Sequence, residues 1–220
     1  MAADASVPRP DRIGEPRAGR RMSRTDWDVR YDTPEYVYGT TPNAFLAAVA
    51  PRMPRGRVLS LGEGEGRNGV FLAERGHTVI AVDRSRVGLR KAGRLARARG
   101  VRLAAVVADL ADFPVAAEAV DAVVAIFCHV PGALRARVYA AAVAALRPGG
   151  AFVVEAYTPR QLDFGTGGPP VADLLVTLAD LERELDGLTF EIAREVERDV
   201  VEGRLHRGRS AVVQLLGFRR

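Results

Sequence analysis

Cysteine, lysine and histidine are the scarce residues of this 220-residue sequence. It contains one cysteine, one lysine and three histidines, and the histidines are far apart, at His77, His129 and His206. A single cysteine excludes an intramolecular disulfide and any metal site built from several cysteines, and the histidine spacing predicts no metal site.

Long apolar runs are absent as well. No run in the sequence approaches the roughly 20 residues that a helix needs to cross a bilayer. The N-terminus carries charges and prolines but lacks the apolar core of a secretory signal. We therefore expect a cytoplasmic protein without a membrane partner.

Positive charge is concentrated near the N-terminus. The formal net charge is +5, and residues 1–25 hold six arginines against three acidic residues. This segment is rich in Pro, Gly, Ala, Arg and Ser without an apolar period, which predicts a disordered basic tail. Residues 26–220 are long enough for a single domain. Basic and aromatic residues do not interleave, so we expect no nucleic-acid partner, and we interpret the use of one lysine, Lys91, as compositional drift toward arginine.

The most informative stretch is residues 58–69, Val-Leu-Ser-Leu-Gly-Glu-Gly-Glu-Gly-Arg-Asn-Gly, followed by an acid at Asp83. A strand, a glycine turn, a helix and an acid about 20 residues further on hold the ribose of nucleotide-like cofactors in α/β sheets. Residues 64–69 also fit the dinucleotide fingerprint G-x-G-x-x-G, whose helix N-terminus receives a pyrophosphate. Two cofactors are therefore open at this point, a dinucleotide and S-adenosylmethionine.

The charges within this stretch favour S-adenosylmethionine. Glu63 and Glu65 stand between the glycines. Unit charges about 4 Å apart interact by roughly 4 kcal/mol at an effective dielectric near 20, so carboxylates facing a pyrophosphate would be unfavourable. They suit the ammonium and sulfonium cations of S-adenosylmethionine, which the glycine backbone can approach closely. Arg67 weakens the argument, because a guanidinium can bind a phosphate.

Strand-like and helix-like segments alternate from residue 57 onward. The strand-like runs are continuously apolar, as in strands buried on both faces of a parallel sheet. They cover residues 58–61, 78–82, 103–108, 122–127 and 151–157. Helices are predicted over 67–75, 85–99 with Ser85 as N-cap, and 133–146, and each is followed by a glycine-containing stop. The alternation predicts a doubly wound, Rossmann-like α/β fold.

Both ends of the chain depart from this alternation. A loop over 161–171 and a short capped helix over 177–186 precede two strand-like segments, 189–198 and 210–218. Glycines between those segments predict an antiparallel hairpin, and hence a mostly parallel seven-stranded sheet with a C-terminal hairpin. The C-terminal hairpin favours a methyltransferase fold over a dinucleotide-binding fold, which continues with parallel strands. Near the N-terminus, a helix is predicted over 42–53 with Thr41 as its N-cap.

Motifs outside the glycine stretch carry a family resemblance. They are Trp27-Asp28-x-Arg30-Tyr31, Tyr36-Val37-Tyr38-Gly39-Thr40, Ala108-Asp109-Leu110 and Leu146-Arg147-Pro148-Gly149-Gly150. Together with the glycine stretch and its acid, they resemble class I S-adenosylmethionine-dependent methyltransferases over residues 26–218. The two N-terminal motifs narrow the resemblance to the small tellurite-resistance and thiopurine methyltransferase group.

The resemblance implies a set of cofactor-binding residues. They are Tyr38, Gly62, Glu63, Gly64, Glu65, Gly66, Arg67, Asn68, Asp83, Arg84, Asp109, Leu110, Phe127 and Cys128. In this arrangement the glycines wrap the methionine end of the cofactor, and Arg67 and Asn68 start the following helix. Asp83 accepts the ribose hydroxyls, and Asp109 accepts the exocyclic amine of adenine unless it serves as a plain N-cap. Tyr38 belongs to a flap over the site.

Ser60 is the position where the sequence departs from this group, in which an acid commonly orients the glycine loop. Glu63 or Glu65 is expected to take over the interaction of that acid with the cofactor ammonium.

His129 is the candidate catalytic residue, because Phe127, Cys128 and His129 end the fourth strand beside the donated methyl group. Methyl transfer requires alignment of acceptor, methyl and sulfur and exclusion of water. A thiolate or chalcogen oxyanion needs no base, whereas a hydroxyl or amine does, and an imidazole with a pKa of about 6.5 can serve. The alternative role of His129 is a hydrogen bond to a backbone carbonyl. We interpret Cys128 as a packed residue. His206, in the hairpin between Gly203 and Gly208, has two open roles, at the rim of the pocket or as an exposed loop residue, and we favour the second.

The function predicted from these observations is methylation of a small-molecule acceptor, a thiol or a chalcogen oxyanion such as tellurite, by a monomer or homodimer. Two alternatives stay open at the level of sequence. One is an NAD(P)-dependent Rossmann oxidoreductase, and the other is a protein that binds the cofactor without turnover.

Overall fold

The computed structural model describes residues 24–220, with side chains from residue 26, so the predicted tail over 1–25 falls almost entirely outside the described residues. The helices are α1 (Arg24–Tyr31), α2 (Ala44–Val49), α3 (Arg67–Glu74), α4 (Arg86–Ala98), α5 (Gly132–Ala145) and α6 (Leu178–Glu184). The strands are β1 (Arg57–Leu61), β2 (Thr78–Asp83), β3 (Ala104–Val107), β4 (Val120–Ile126), β5 (Leu146–Tyr157), β6 (Leu188–Glu202) and β7 (His206–Arg219).

All seven strands form one sheet in the order β3-β2-β1-β4-β5-β7-β6. Strands β1 to β5 are parallel to one another. Strand β7 pairs antiparallel with β5, and β6 pairs antiparallel with β7. The predicted fold class, a Rossmann-like parallel sheet finished by an antiparallel hairpin, is confirmed. Because the order reverses between β1 and β4, the carboxyl ends of these strands leave a crevice at the switch point, where ligands bind in open α/β sheets.

The hydrophobic core has two layers, one on each face of the sheet. Leu59, Val123 and Phe152 pack in the layer that contains residues of α5 and α6. Their immediate neighbours Val58, Val124 and Val153 pack in the layer that contains residues of α2 and α3. Strands covered on both faces need apolar residues at every position, which explains the continuous apolar runs in the sequence.

The helix predicted over 42–53 is shorter in the structure, and the prediction of Thr41 as its N-cap was wrong. The side chain of Asn43, rather than Thr41, accepts the Leu46 N–H and caps α2. The α-helix ends at Val49 and is followed by a 3₁₀ turn, Ala50–Arg52, that contains Pro51. Proline has no N–H to donate, so an α-helix does not continue through it.

The Arg-Pro-Gly-Gly motif was predicted as a turn between α5 and β5, and the structure places it within β5. Pairing with β4 passes from Val120–Leu146 to Ala122–Ala151, so residues 147–150 bulge from the ladder opposite Asp121. The hairpin strands are also longer than predicted, because they pair with each other well beyond the edge of the parallel strands.

The helix over 177–186 is observed as α6 with a capping box. Thr177 accepts the Asp180 N–H, and the Asp180 carboxylate accepts the Thr177 N–H in return. Ser85 likewise caps α4, as predicted, by accepting the Gly88 N–H. Within residues 24–220, no helix combines the length and the apolar character required to cross a membrane.

Candidate active site

The glycine loop connects β1 to α3 at the carboxyl edge of the sheet. Gly62, Gly64 and Gly66 all have left-handed backbone conformations, with φ values of 64°, 62° and 99°. A Cβ at Gly62 would lie 2.8 Å from the Cys128 sulfur, and one at Gly64 would lie 2.7 Å from the Tyr31 hydroxyl. The loop therefore requires glycine both for its conformation and for the close approach of neighbouring groups.

Asp83 ends β2 directly beside this loop and is 7 % exposed. One carboxylate oxygen accepts the Gly64 N–H at 2.8 Å, and the other accepts the Ser85 N–H at 2.7 Å. Burial raises the pKa of Asp83 to about 6, although these two hydrogen bonds lower it. The carboxylate is thus fixed by the backbone, and each oxygen keeps a lone pair for a ligand hydroxyl.

Glu63 is bound by residues on both sides of the glycine loop. Its carboxylate accepts the Gly69 N–H at 2.7 Å and a hydrogen bond from the Ser60 hydroxyl. A Cβ at Gly69 would lie 3.0 Å from that carboxylate, so Gly69 is a helix residue packed on Glu63. Burial raises the pKa of Glu63 to about 7, while the two hydrogen bonds oppose the shift. The Glu63 carboxylate thus links the end of β1 to the first turn of α3.

Glu65 is neutralised within the protein. Its carboxylate forms an ion pair with Lys91 at 2.5 Å and accepts the Tyr38 N–H at 3.1 Å. The Lys91 ammonium, on α4, also donates to the carbonyls of Tyr31 at 3.1 Å, Thr33 at 3.0 Å and Glu35 at 2.5 Å. Lys91 is 1 % exposed. The single lysine is therefore buried and joins the N-terminal segment to the glycine loop, a role that the sequence analysis did not predict.

Arg67 and Asn68 begin α3, as predicted, and their side chains point away from the loop. Arg67 pairs with Glu202 of β6 at 2.7 Å, and Asn68 accepts the backbone N–H of Asn43 at 2.9 Å. The amide of Asn43 donates in turn to Glu202 at 2.9 Å. This buried network links the glycine loop to α2 and to the tip of the hairpin.

Asp109 and Arg84 form a partly exposed ion pair at 2.7 Å, on the loops that follow β3 and β2. Asp109 also accepts the Ala111 N–H at 3.0 Å, which is a local turn rather than the helix cap considered above. Leu110 lines a cavity of about 410 Å³ together with Leu61 and other apolar side chains. Of the two predicted adenine-binding residues, Leu110 therefore borders an apolar cavity beside β1, and Asp109 directly precedes it in the chain.

The end of β4 carries the predicted catalytic segment. Phe127 has a left-handed φ of 50°, uncommon for an aromatic residue and typical of functional sites. Burial raises the pKa of Cys128 to about 12, so its thiol is protonated at neutral pH and is no nucleophile. Burial also lowers the pKa of His129 to about 4, and an interaction with the backbone of Leu174 offsets only part of that shift. His129 is thus neutral at pH 7.

Five aromatic and imidazole rings lie together at the end of β4, and two of them, Phe127 and His129, belong to this segment. Phe127 stacks on Tyr157 with centroids 4.6 Å apart, and His129 stacks on Tyr157 at 5.7 Å. The ring of His206 lies 4.5 Å from Tyr38 and 4.7 Å from Phe127. His206 is 7 % exposed, so its interpretation as an exposed loop residue was wrong. We call this group of five residues the aromatic cluster.

Lys91, Tyr157 and His206 were not predicted as site residues, and Tyr31 was named only as part of the Trp27–Tyr31 motif. Lys91 left a signal, because it is the only lysine in the chain. Tyr157 and His206 reach the site through the packing of segments distant in sequence.

Residues 58–150, which include the glycine loop, Asp83 and Asp109, match the family model described as a methyltransferase domain. No curated protein sequence matches the chain.

Several solved structures share the fold. One, described as "Conversion of a Disulfide Bond into a Thioacetal Group during Echinomycin Biosynthesis", is 21 % identical with a TM-score of 0.71, covering 88 % of this chain and 90 % of that one. TehB from Haemophilus influenzae is 15 % identical with a TM-score of 0.66, covering 90 % and 67 %. An S-adenosylmethionine-dependent methyltransferase from Methanosarcina mazei is 15 % identical with a TM-score of 0.65, covering 78 % and 96 %. At these identities the likeness shows the fold alone.

The matched domain and the glycine loop define the class of protein: the chain is a methyltransferase. Its cofactor is S-adenosylmethionine. The structure fits that cofactor, because a turn with left-handed glycines at positions 62, 64 and 66 lies beside a buried, backbone-fixed acid. This class and this cofactor replace the two alternatives that the sequence left open, a nicotinamide-dependent oxidoreductase and a protein that binds the cofactor without turnover.

Proposed function

We propose that this methyltransferase acts on a small-molecule acceptor and is of the tellurite-resistance and thiopurine methyltransferase type. The observation that carries the proposal is the covering of the glycine loop by the chain's own N-terminal segment. Lys91 binds three carbonyls of residues 31–35, and Glu65 binds the Tyr38 N–H, so this segment lies over the loop. A site covered in this way suits a small acceptor better than a polymer. The similarity to TehB supports the same group.

The proposed roles of the residues follow from their positions. Asp83 accepts the ribose hydroxyls, and the backbone of Gly62, Gly64 and Gly66 surrounds the methionine end. When bound, S-adenosylmethionine supplies an electrophilic methyl group on a sulfonium. The protein aligns the acceptor with that methyl group and excludes water.

The remaining cofactor contacts are proposed on the same basis. Arg84, Asp109 and Leu110 lie on the adenine side, where Leu110 borders the apolar cavity. Phe127 and Cys128 lie beside Gly62, next to the expected position of the methyl group. Glu63 is the negative charge of the loop that Lys91 does not neutralise, so it is the acid that suits the cofactor ammonium.

We further propose that residues 26–220 act as a single domain, as a monomer or homodimer, in the cytoplasm. The support for a single domain is the continuous seven-stranded sheet, to which α1 is attached through Lys91.

The proposal is tested by measuring release of the demethylated cofactor while acceptors are offered one class at a time. Thiols, phenols, amines and tellurite form the small-molecule panel, and tRNA and a mixed peptide pool form the comparison. Turnover with at least one small molecule and none with the polymers is expected. Turnover confined to the polymers would contradict the proposal.

A further inference from the structure

Helix α4 and the turns that flank it carry a strong excess of positive charge. Residues 84–102 contain eight basic residues and no acidic residue, a larger excess than that of residues 1–25. Since the formal net charge of the whole chain is +5, the residues outside 84–102 sum to −3. The positive charge is thus localised on one element instead of being spread over the surface.

Four of these arginines lie on one face of α4. Successive residues of an α-helix are rotated by about 100°, so positions 86, 90, 94 and 97 fall within an arc of about 80°. The rise of about 1.5 Å per residue distributes them over about 16 Å of the helix. All four residues are exposed, as is Arg102 just beyond the helix. We call Arg86, Arg90, Arg94 and Arg97 the arginine stripe.

No acid neutralises the arginine stripe. Its members and Arg102 have no ion-pair partner in the part of the chain that the structure describes, whereas the other basic residues of the segment are paired. Those pairs are Arg84 with Asp109 at 2.7 Å, Lys91 with Glu65 at 2.5 Å and Arg99 with Glu74 at 3.7 Å. Like charges four residues apart destabilise a helix, so an anion bound along the stripe would relieve their repulsion.

The chemistry of the stripe fits the phosphate groups of a double-stranded nucleic acid. Guanidinium groups donate paired hydrogen bonds to phosphate oxygens. A duplex carries one negative charge per about 1.7 Å of its axis, so a stripe about 16 Å long can meet several phosphates at once.

The sequence expectation of no nucleic-acid partner rested on the lack of aromatic residues among the basic ones. Aromatic side chains are needed to stack on the bases of a single strand. Helix α4 contains no aromatic residue, which argues against single-strand binding. Binding to the backbone of a duplex depends on phosphate contacts and needs no stacking.

A membrane surface fits the stripe less well. A helix that lies in a membrane interface buries an apolar face among the lipids. The apolar residues of α4, among them Leu89, Ala92 and Leu95, are already buried within the protein. Helix α4 therefore offers a lipid surface positive charge alone, without an apolar anchor.

We propose that the arginine stripe and Arg102 form a surface that binds the phosphate backbone of double-stranded nucleic acid independently of base sequence. The stripe begins three residues beyond Asp83, at the carboxyl edge of the sheet, and leads away from that edge. The bound duplex is thus a place of attachment for the enzyme and not its methyl acceptor. This surface goes beyond the proposed function, which concerns the site at the carboxyl edge.

The test measures the fluorescence anisotropy of a labelled DNA duplex of mixed sequence with the full-length protein. Wild type is compared with the triple variant Arg90→Gln, Arg94→Gln and Arg97→Gln, in which glutamine keeps a helix-favouring side chain. At about 0.9 per phosphate contact, the slope of log affinity against log salt concentration should be less steep by about 2.7 in the variant. Wild type should therefore lose about 40-fold more affinity than the variant between about 50 and 200 mM salt, and should bind at least about 40-fold more tightly at 50 mM.

The matched control removes the same number of exposed arginines from other surfaces, by Arg160→Gln, Arg183→Gln and Arg209→Gln. Their side chains are 62 %, 69 % and 53 % exposed. Every protein in the comparison keeps residues 1–25, so the six arginines of that segment contribute equally to all of them. The control should match wild type in affinity and in salt slope. Equal slopes for the stripe variant and the control, or no binding of the duplex by wild type at 50 mM salt, would overturn the proposal.

Two further measurements complete the test. Calorimetry should show that the stripe variant binds S-adenosylmethionine as wild type does, because none of its three changed residues contacts the glycine loop. Wild type alone should sediment with the duplex and stay in solution with vesicles of phosphatidylcholine and phosphatidylserine. Binding to the vesicles without binding to the duplex would overturn the proposal in favour of a membrane surface. None of these measurements involves methyl transfer, so the proposed function is tested separately.

Discussion

Glu63 shows how one residue changes the chemistry of the glycine loop. Its carboxylate accepts hydrogen bonds from the Ser60 hydroxyl and the Gly69 N–H, and it is buried. The pKa of this carboxyl is about 7 in the folded protein against 4.5 in its unperturbed state. Because the folded pKa is the higher one, the folded state binds the proton more tightly. Ionisation of Glu63 therefore destabilises the fold progressively from pH 4.5 upward, and fully above pH 7.

Glu63→Gln should relieve this effect. The amide can accept the Gly69 N–H and donate to the Ser60 hydroxyl, so both contacts survive without a charge. The difference between 4.5 and about 7 corresponds to about 3 kcal/mol at 1.36 kcal/mol per pKa unit. Urea unfolding should thus show a gain for the variant approaching that value at pH 8.5 and little gain at pH 4.5.

Glu182→Gln on the exposed face of α6 is the control and should change stability at neither pH. An equal gain for Glu63→Gln at both pH values, or a loss at pH 8.5, would contradict the interpretation of Glu63 as a destabilising buried charge.

Individual site residues were predictable from sequence where their signal is local. Asp83 stands at a fixed distance beyond the glycine loop, and the strand–turn–helix pattern is enough to locate it. The burial of Lys91 and of His206 was not predicted, for the opposite reason. The contact of Lys91 with Tyr31 and that of His206 with Phe127 join segments 60 and 79 residues apart in sequence, and neither spacing nor composition encodes that packing.

Among the elements, the hairpin of β6 and β7 does more than complete the sheet. Its tip contacts the N-terminal segment, where the Arg204 N–H donates to the Val37 carbonyl at 2.8 Å. Gly203 has a φ of 73°, and a Cβ there would lie 2.5 Å from that same carbonyl oxygen. The tip therefore holds Tyr38 and its neighbours against the cofactor loop.

Gly203→Ala should disturb this contact. Gly100→Ala is a matched control, because Gly100 has nearly the same φ, 70°, and nothing lies within 4 Å of its Cβ position. Both variants suffer the left-handed strain, and Gly203→Ala should lose about 1–3 kcal/mol more from overpacking. It should also bind S-adenosylmethionine more weakly, as measured by calorimetry. Equal stability and equal affinity of the two variants would show that the tip has no such role.

The strands and helices of the parallel half were predictable because each carries its own pattern and stop. The observed elements differ from the predicted ones where tertiary contacts determine the local backbone conformation. The Arg-Pro-Gly-Gly motif joins β5 because the β4 ladder continues past it. The N-cap of α2 is Asn43, whose backbone N–H is held by Asn68 of the neighbouring helix.

Across the whole molecule, the sheet brings distant parts of the chain to one edge. Tyr38, the glycine loop, Asp83, the end of β4 and His206 meet there although they span about 170 residues of sequence. The parallel order with its switch point between β1 and β4 makes this possible. Binding at this edge should therefore stabilise the whole domain, as a ligand that binds only the folded state does.

Calorimetry with S-adenosylmethionine, its demethylated product and NAD tests the central assignment most directly. Wild type and an Asp163→Ala control, altered at an exposed acid, should bind both adenosyl ligands and no NAD. Asp83→Ala should weaken that binding by about 1.5–3 kcal/mol, the contribution of hydrogen bonds to a charged group. Binding of NAD without either adenosyl ligand, or an Asp83→Ala protein with wild-type affinity, would contradict the account.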